Sequence, residues 1–170
     1  MFVDSHCHLD YHQRDGDIED VLARACKSEV NTIVTICKKI SEARLVRDLA
    51  VRYDNVWCSV GVHPHEASIE GQKDPYKLIK LANCKEVIGI GESGLDYYYE
   101  KSSQEDQKQS FRSHIAAARS TGLPIIIHSR NADSDCAQIL KDEMKNGSFT
   151  GVMHCFSSGS ELAKTALDLG

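Results

Sequence analysis

The sequence predicts an α/β protein of the (β/α)8 TIM-barrel type, with about six βα units in its 170 residues. Three observations predict it. Short apolar segments alternate with amphipathic ones along the whole chain. The apolar segments are mostly continuous, as strands buried on both faces of a parallel sheet are. Metal-competent side chains stand at the ends of these segments, and a barrel opens the carboxyl ends of all its strands onto one rim. An open doubly wound sheet is the other architecture such units build, but no G-x-G-x-x-G turn follows the first strand. GIGESG at 89–94 has the spacing of neither phosphate loop. No linker, repeat or low-complexity stretch divides the chain, so residues 1–170 read as one domain.

The elements follow in order. FVDSH opens the chain as a short strand. DIEDVLARAC places Ile18, Val21, Leu22 and Ala25 on one helical face. NTIVTIC (31–37) is the second strand, after which Ser41 is placed to cap a helix and Ile40 and Leu45 to staple it. VWCSVGV (56–62) is the third strand, and Asp74-Pro75 marks the next helix start. VIGIGE (87–92) is the fourth. The fourth helix begins near Ser103, carries Phe111, Ile115 and Ala118 on one stripe, and stops at Gly122 before Pro124. PIIIHS (124–129), a helix from Asp133 to Asn146-Gly147, GVMHCF (151–156) and a helix from Ser160 complete the series.

Hydrophobic residues make up 41% and charged residues 26%, an ordinary soluble composition. No apolar run approaches the roughly 20 residues that span a bilayer. The first residues show neither a basic n-region nor an apolar h-region, so a cytoplasmic location is expected, with no membrane and no obligate protein partner. Seven cysteines without a C-x-x-C pair read as reduced, packed thiols, although Cys7 and Cys155 each adjoin a histidine. A net charge of −5 argues against a broad basic surface that coats nucleic acid. It leaves open an enzyme that meets phosphates at a metal site, where the bound cation dominates the local charge.

The histidines carry the functional signal. His6 and His8 follow the first strand and, two apart in extended chain, share a face. His63 and His65 follow the third strand, Glu92 the fourth, His128 the fifth and His154 the sixth. A carboxylate behind VIGIG would be buried at the barrel mouth, and a buried charge must be paired or bound to metal. Imidazoles with a carboxylate suit Zn, Mn, Fe or Ni. These ligands exceed one open tetrahedral site, so two metals bridged by Glu92 are expected. Two metals about 3.5–4 Å apart can ionise a water and brace a displacement at phosphorus, which makes hydrolysis the default chemistry.

DSHCHLD, GVHPH, IGESGLDYY, IIIHSR and HCFSSG, in this order, closely resemble the TatD family of metal-dependent deoxyribonucleases, and the resemblance covers essentially the whole chain. It implies a TIM barrel, a cytoplasmic DNase with exonuclease activity, and two divalent ions, Mg²⁺ or Mn²⁺, with Zn²⁺ also accommodated. It implies that His6, His8 and Glu92 hold one ion, and Glu92, His128 and His154 the other, with Glu92 at the catalytic centre. His63, His65 and Arg130 would sit near the substrate phosphate of DNA. Family chains are longer and carry an E-T-D-x-P aspartate beyond the sixth unit, so this sequence is expected to be part of a longer chain.

Smaller signals complete the expectation. Tyr97, Tyr98 and Tyr99 sit on a loop over the site, either as a stacking platform for bases or packed on one another. Arg130 is suited to clamp a phosphate. His12 belongs to a polar loop and His114 to a helix surface. Asp96 and Asp133 follow strands four and five outside the ligand motifs. Two rival functions remain: a hydrolase of the same scaffold acting on another ester or an amide, and a catalytically incomplete fragment.

Overall fold

The computed structural model describes residues 1–71 and 74–170. Strands β1 (Phe2–Cys7), β2 (Val30–Thr35), β3 (Val56–Val60), β4 (Val87–Asp96), β5 (Ile125–Arg130) and β6 (Gly151–Met153) form one sheet in the order β1-β2-β3-β4-β5-β6. Every neighbouring pair is parallel. A doubly wound sheet reverses direction at a switch point, whereas this order only advances, as in a barrel wall. The sheet also curls. His6 lies on one edge strand and His154 just follows the other, yet their rings stack with centroids 3.8 Å apart.

Helices α1 (Leu9–Asp15), α2 (Ile18–Lys27), α3 (Ala43–Arg52), α4 (Ala67–Glu70), α5 (Tyr76–Ala82), α6 (Gln104–Thr121) and α7 (Asp133–Lys145) lie in the crossovers, and α8 (Ser160–Leu169) follows β6. Their apolar stripes meet the sheet in one core. Val46, Leu78, Phe111, Ile115 and Leu162 pack there with Cys58, Val60, Ile90 and Ile125, each nearly inaccessible. Truncating a ring buried like Phe111 costs about 3–5 kcal/mol. The α6 ends match expectation: Ser103 accepts the Asp106 N–H at 3.1 Å, and Gly122 closes the helix in the left-handed region at φ 71. No described helix is long and apolar enough to cross a membrane.

Several local expectations are corrected. LDYHQRD forms α1, so His12 is helical and pairs with Asp17 at 3.0 Å. Ser41 does not cap α3. It lies inside a 3₁₀ turn, Ile40–Glu42, because its N–H and hydroxyl are taken by Glu70 at the end of α4. His114 is fully buried instead of lining a helix surface. Strand β4 runs on to Asp96, four residues past Glu92, and β6 stops at Met153, leaving His154 on the following turn.

Candidate metal centre

The carboxyl ends of the strands enclose a cavity of about 670 Å³ whose lining includes His6, His8, His63, His65, Glu92, His128, Arg130 and His154. All of the residues expected from sequence to hold metal or substrate are therefore brought together. Backbone close-packing makes the convergence possible. A side chain at Gly61 would come within 2.4 Å of the Gly91 backbone, so only glycine lets β3 and β4 approach here. A side chain at Gly94, at φ +144, would likewise come within 2.0 Å of the His128 carbonyl oxygen of β5.

Glu92 is the hub. It is 3% exposed, and four imidazoles surround it. His154 Nε2 is 2.7 Å and His128 Nδ1 3.1 Å from Oε1, while His6 Nε2 is 3.4 Å from Oε2 and His63 Nε2 3.7 Å from Oε1. Burial acts to raise the Glu92 carboxyl, but contacts with His128, His154 and His6 outweigh it and hold the group well below the carboxylate range. A buried anion is thus kept ionised by nitrogens, which is what a cation-binding carboxylate requires.

The hydrogen bonds around the imidazoles assign their roles. His8 Nδ1 faces the Ile36 carbonyl at 3.3 Å, so it carries the proton and leaves the Nε2 lone pair free for a metal. Burial, aided by Lys38, lowers the His8 pKa and keeps the ring neutral. His6 Nε2 is buried without a hydrogen bond, an orphaned donor atom beside a carboxylate. His6, His8 and Glu92 bring one ligand atom each within 4.8 Å of one another. His63, Glu92 and His128 do the same. His63 Nδ1, however, accepts the His65 N–H at 3.1 Å, so the neutral ring carries its proton on Nε2 and presents a donor to the cavity. Burial lowers the His63 pKa to about 3, which keeps that ring neutral. His154, which touches Glu92 more closely, is free to take the ligand place beside His128. The donor set of imidazoles and one bridging carboxylate fits divalent cations.

Asp96 is the residue that sequence reasoning set aside. It is fully buried; Oδ1 accepts the Tyr98 and Tyr99 N–H groups, and Oδ2 lies 2.9 Å from His65 Nε2 and 3.0 Å from His128 Nε2. Burial raises its carboxyl, but the Tyr99 N–H and the two imidazoles prevail and hold it low. Asp96 is placed to orient His128: in the neutral ring, an Nε2 proton directed to Asp96 would leave the Nδ1 lone pair for a cation shared with Glu92. The signal was present in IGESGLD, since residues 92, 94 and 96 share one face of a strand. The same two carboxylates flanking His128 outweigh its burial and raise its pKa.

Helix α6 supports this frame from behind. Gln107 accepts the Asp96 N–H at 2.7 Å and donates to the Asp96 and Ser102 carbonyls. Seven residues on, His114 Nε2 accepts the Val62 N–H at 2.9 Å while Nδ1 donates to the Ser110 carbonyl at 2.7 Å. One helix face thus pins the ends of β3 and β4, next to His63 and at Asp96.

The remaining candidates divide. Tyr97 is partly buried and donates to Asp135 at 2.8 Å, so it does not overhang the cavity. Tyr98 and Tyr99 are exposed, and the Arg130 guanidinium lies 4.2 and 4.9 Å from their ring centroids. Cys7 donates to the Val34 carbonyl at 3.5 Å, and burial pushes its thiol up to about 12, which is unsuited to a thiolate ligand. Cys155 is exposed at the cavity wall.

Comparison with known proteins agrees with this architecture. The family model described as TatD related DNase matches residues 3–170. A protein of Escherichia coli K12 named uncharacterized metal-dependent hydrolase YcfH is 40% identical over 176 residues, covering 100% of this chain and 64% of its own. A Salmonella typhimurium protein named 3′-5′ ssDNA/RNA exonuclease TatD is 31% identical, over 91% of this chain and 59% of its own. The crystal structure of YjjV, a TatD homologue from Escherichia coli K12, superposes with a TM-score of 0.87 at 28% identity, covering 99% of this chain and 65% of that one. The chain therefore spans about two thirds of the length of the relatives it matches.

Proposed function

Since the chain belongs to the TatD-related family, we propose that it carries the metal-binding face of a hydrolase that cuts DNA phosphodiester bonds as an exonuclease. One observation carries the reading: a buried, ionised carboxylate ringed by imidazoles at the mouth of a cavity that also holds Arg130. The name of the Salmonella relative supports the substrate class. Seven free cysteines fit the reducing cytoplasm.

His6, His8 and Glu92 would hold one divalent cation, and Glu92, His128 and His154 a second, with Mg²⁺, Mn²⁺ or Zn²⁺ as the candidates. Bound there, such cations polarise a phosphate oxygen and acidify a water at neutral pH. Glu92 would be the ligand common to both positions. Asp96 keeps His128 in the tautomer that turns a lone pair inward. His63 offers its Nε2 proton to a non-bridging phosphate oxygen, and His65 holds His63 in that tautomer through its backbone N–H. Arg130 presents a planar fork to the same phosphate.

The test is degradation of an end-labelled single-stranded DNA by the full native polypeptide with Mg²⁺ or Mn²⁺, beside Glu92→Ala. Stepwise, metal-dependent shortening that vanishes in the variant is the expected result. Turnover of small esters with DNA left intact would transfer the site to another substrate.

A further inference from the structure

The cavity wall carries a second pattern besides its imidazoles. Five cations line it: Arg14, Lys38, Lys39, Lys101 and Arg130. Arg14 is held by Asp10 and Glu42 at 3.4 and 2.9 Å, and Lys39 by Glu66 at 3.5 Å. Among the described residues, Lys38, Lys101 and Arg130 have no carboxylate at ion-pair distance, and each faces a tyrosine instead. Lys38 Nζ donates to the Tyr11 hydroxyl and lies 4.0 Å from its ring centroid. Arg130 lies over Tyr98 and Tyr99, and Lys101 is 5.8 Å from the Tyr99 centroid. In a chain of net charge −5, unpaired cations gathered at one cavity mark it for an anion.

The two cation–tyrosine stations sit at opposite ends of the histidine cluster. Tyr11 contacts His8 at 6.0 Å between centroids, and His8 contacts His6 at 5.4 Å. The run continues from His6 through His154, His128 and His63 to His65, which contacts Tyr99 at 5.3 Å. The Lys38 station is also fixed to the site by its backbone. The Lys38 carbonyl accepts the His63 N–H at 2.9 Å, and the neighbouring Cys37 carbonyl accepts the Glu92 N–H at 3.1 Å.

We infer that Tyr11 and Lys38 form a second substrate subsite, which takes a base and a phosphate of a single-stranded polynucleotide across the histidine cluster from Tyr98, Tyr99 and Arg130. The inference rests on the phosphodiesterase reading above and adds that the substrate is a polymer long enough to reach both stations. Tyr11 is 47% exposed, so part of its ring is free to stack on any base. Lys38 supplies a mobile point charge for the adjoining phosphate. Duplex bases are already stacked on one another and cannot meet these rings, so the strand is single.

Fluorescence anisotropy with a labelled thymidine dinucleotide and a longer oligothymidylate, with EDTA present to stop turnover, reads the subsite without catalysis. The wild type is expected to bind the longer strand about tenfold more tightly than the dinucleotide. Lys38→Met and Tyr11→Leu each remove that preference, and Lys38→Met lowers the slope of log K against log salt by about 0.7. Lys85→Met, at an exposed lysine beside Glu86 and away from the cavity, leaves both affinities unchanged. Retention of the length preference in Lys38→Met, or equal or absent binding of both lengths by the wild type, overturns the subsite. If the wild type still shortens DNA with metal in those cases, the phosphodiesterase reading stands without the subsite. If it neither binds nor shortens any strand, both fall.

Discussion

The middle of the rim and its margins are built differently, though both supply candidate ligands. At the middle, β4 is buried along nearly its whole length and has hydrogen-bonded strands on both sides. Glu92, Asp96, His63 and His128 stand on or beside it, and Gln107 and His114 of α6 fix the strand ends that carry them. At the margins, β1 and β6 each pair on one side only within the described residues. Phe2 is 63% exposed and Val152 53% exposed. Yet His6, His8 and His154 come from these margins. The lesson is that the central carboxylates are set by the sheet itself, while the outer imidazoles reach them by closing over Glu92.

The largest effect that sharpens this comparison falls at the hub. Glu92→Gln keeps the shape but removes the charge shared by four imidazoles; metal-dependent turnover should drop by at least about a thousandfold in a steady-state assay. Asp96→Asn is the next test. The amide still accepts the Tyr98 and Tyr99 N–H groups, yet it no longer specifies the His128 tautomer, so metal affinity measured by calorimetry should fall about 10–100-fold. Unchanged affinity would remove Asp96 from the account.

His114 tests whether α6 truly holds the middle. Burial lowers its pKa to about 4 in the folded protein, whereas the unfolded imidazole titrates near 6.5. The unfolded chain therefore takes up a proton that the folded chain refuses. This contribution to stability is complete above about pH 6.5 and declines as pH falls toward 4, amounting to about 2 kcal/mol lost by pH 5. His114→Gln should cost about 1–3 kcal/mol at pH 7 through its two buried hydrogen bonds, and should flatten the wild-type slope between pH 6.5 and 4 in urea titrations. Parallel slopes for the two proteins would show that His114 is not responsible. The smallest effect belongs to the outer surface: Val51→Ala, on α3 and 58% exposed, should change stability by under about 0.5 kcal/mol, against about 2 kcal/mol for the buried Val60→Ala.

The sequence made the strands and the candidate ligands that converge at their ends legible for one physical reason. Strands buried on both faces leave continuous apolar runs, and only a polar residue that must meet the cavity interrupts their ends. What it hid were features decided by tertiary packing. The pattern around His114 resembles any amphipathic helix surface, and only the approach of the Val62 N–H gives its Nε2 a partner. Asp96 stood outside the predicted strand because SGLD lacks β-branched residues, and the ladder with β5 extends β4 regardless. Ser41 matched a capping pattern but found Glu70, a partner twenty-nine residues away.

The central claim is that Glu92 joins the middle and the margins into one site for two cations. Calorimetric titration of the metal-stripped wild type with Mn²⁺, beside Glu92→Ala, tests it most directly. The account predicts two bound ions per wild-type chain and loss of both sites in the variant. Two ions retained by Glu92→Ala, or none bound by the wild type, would contradict it.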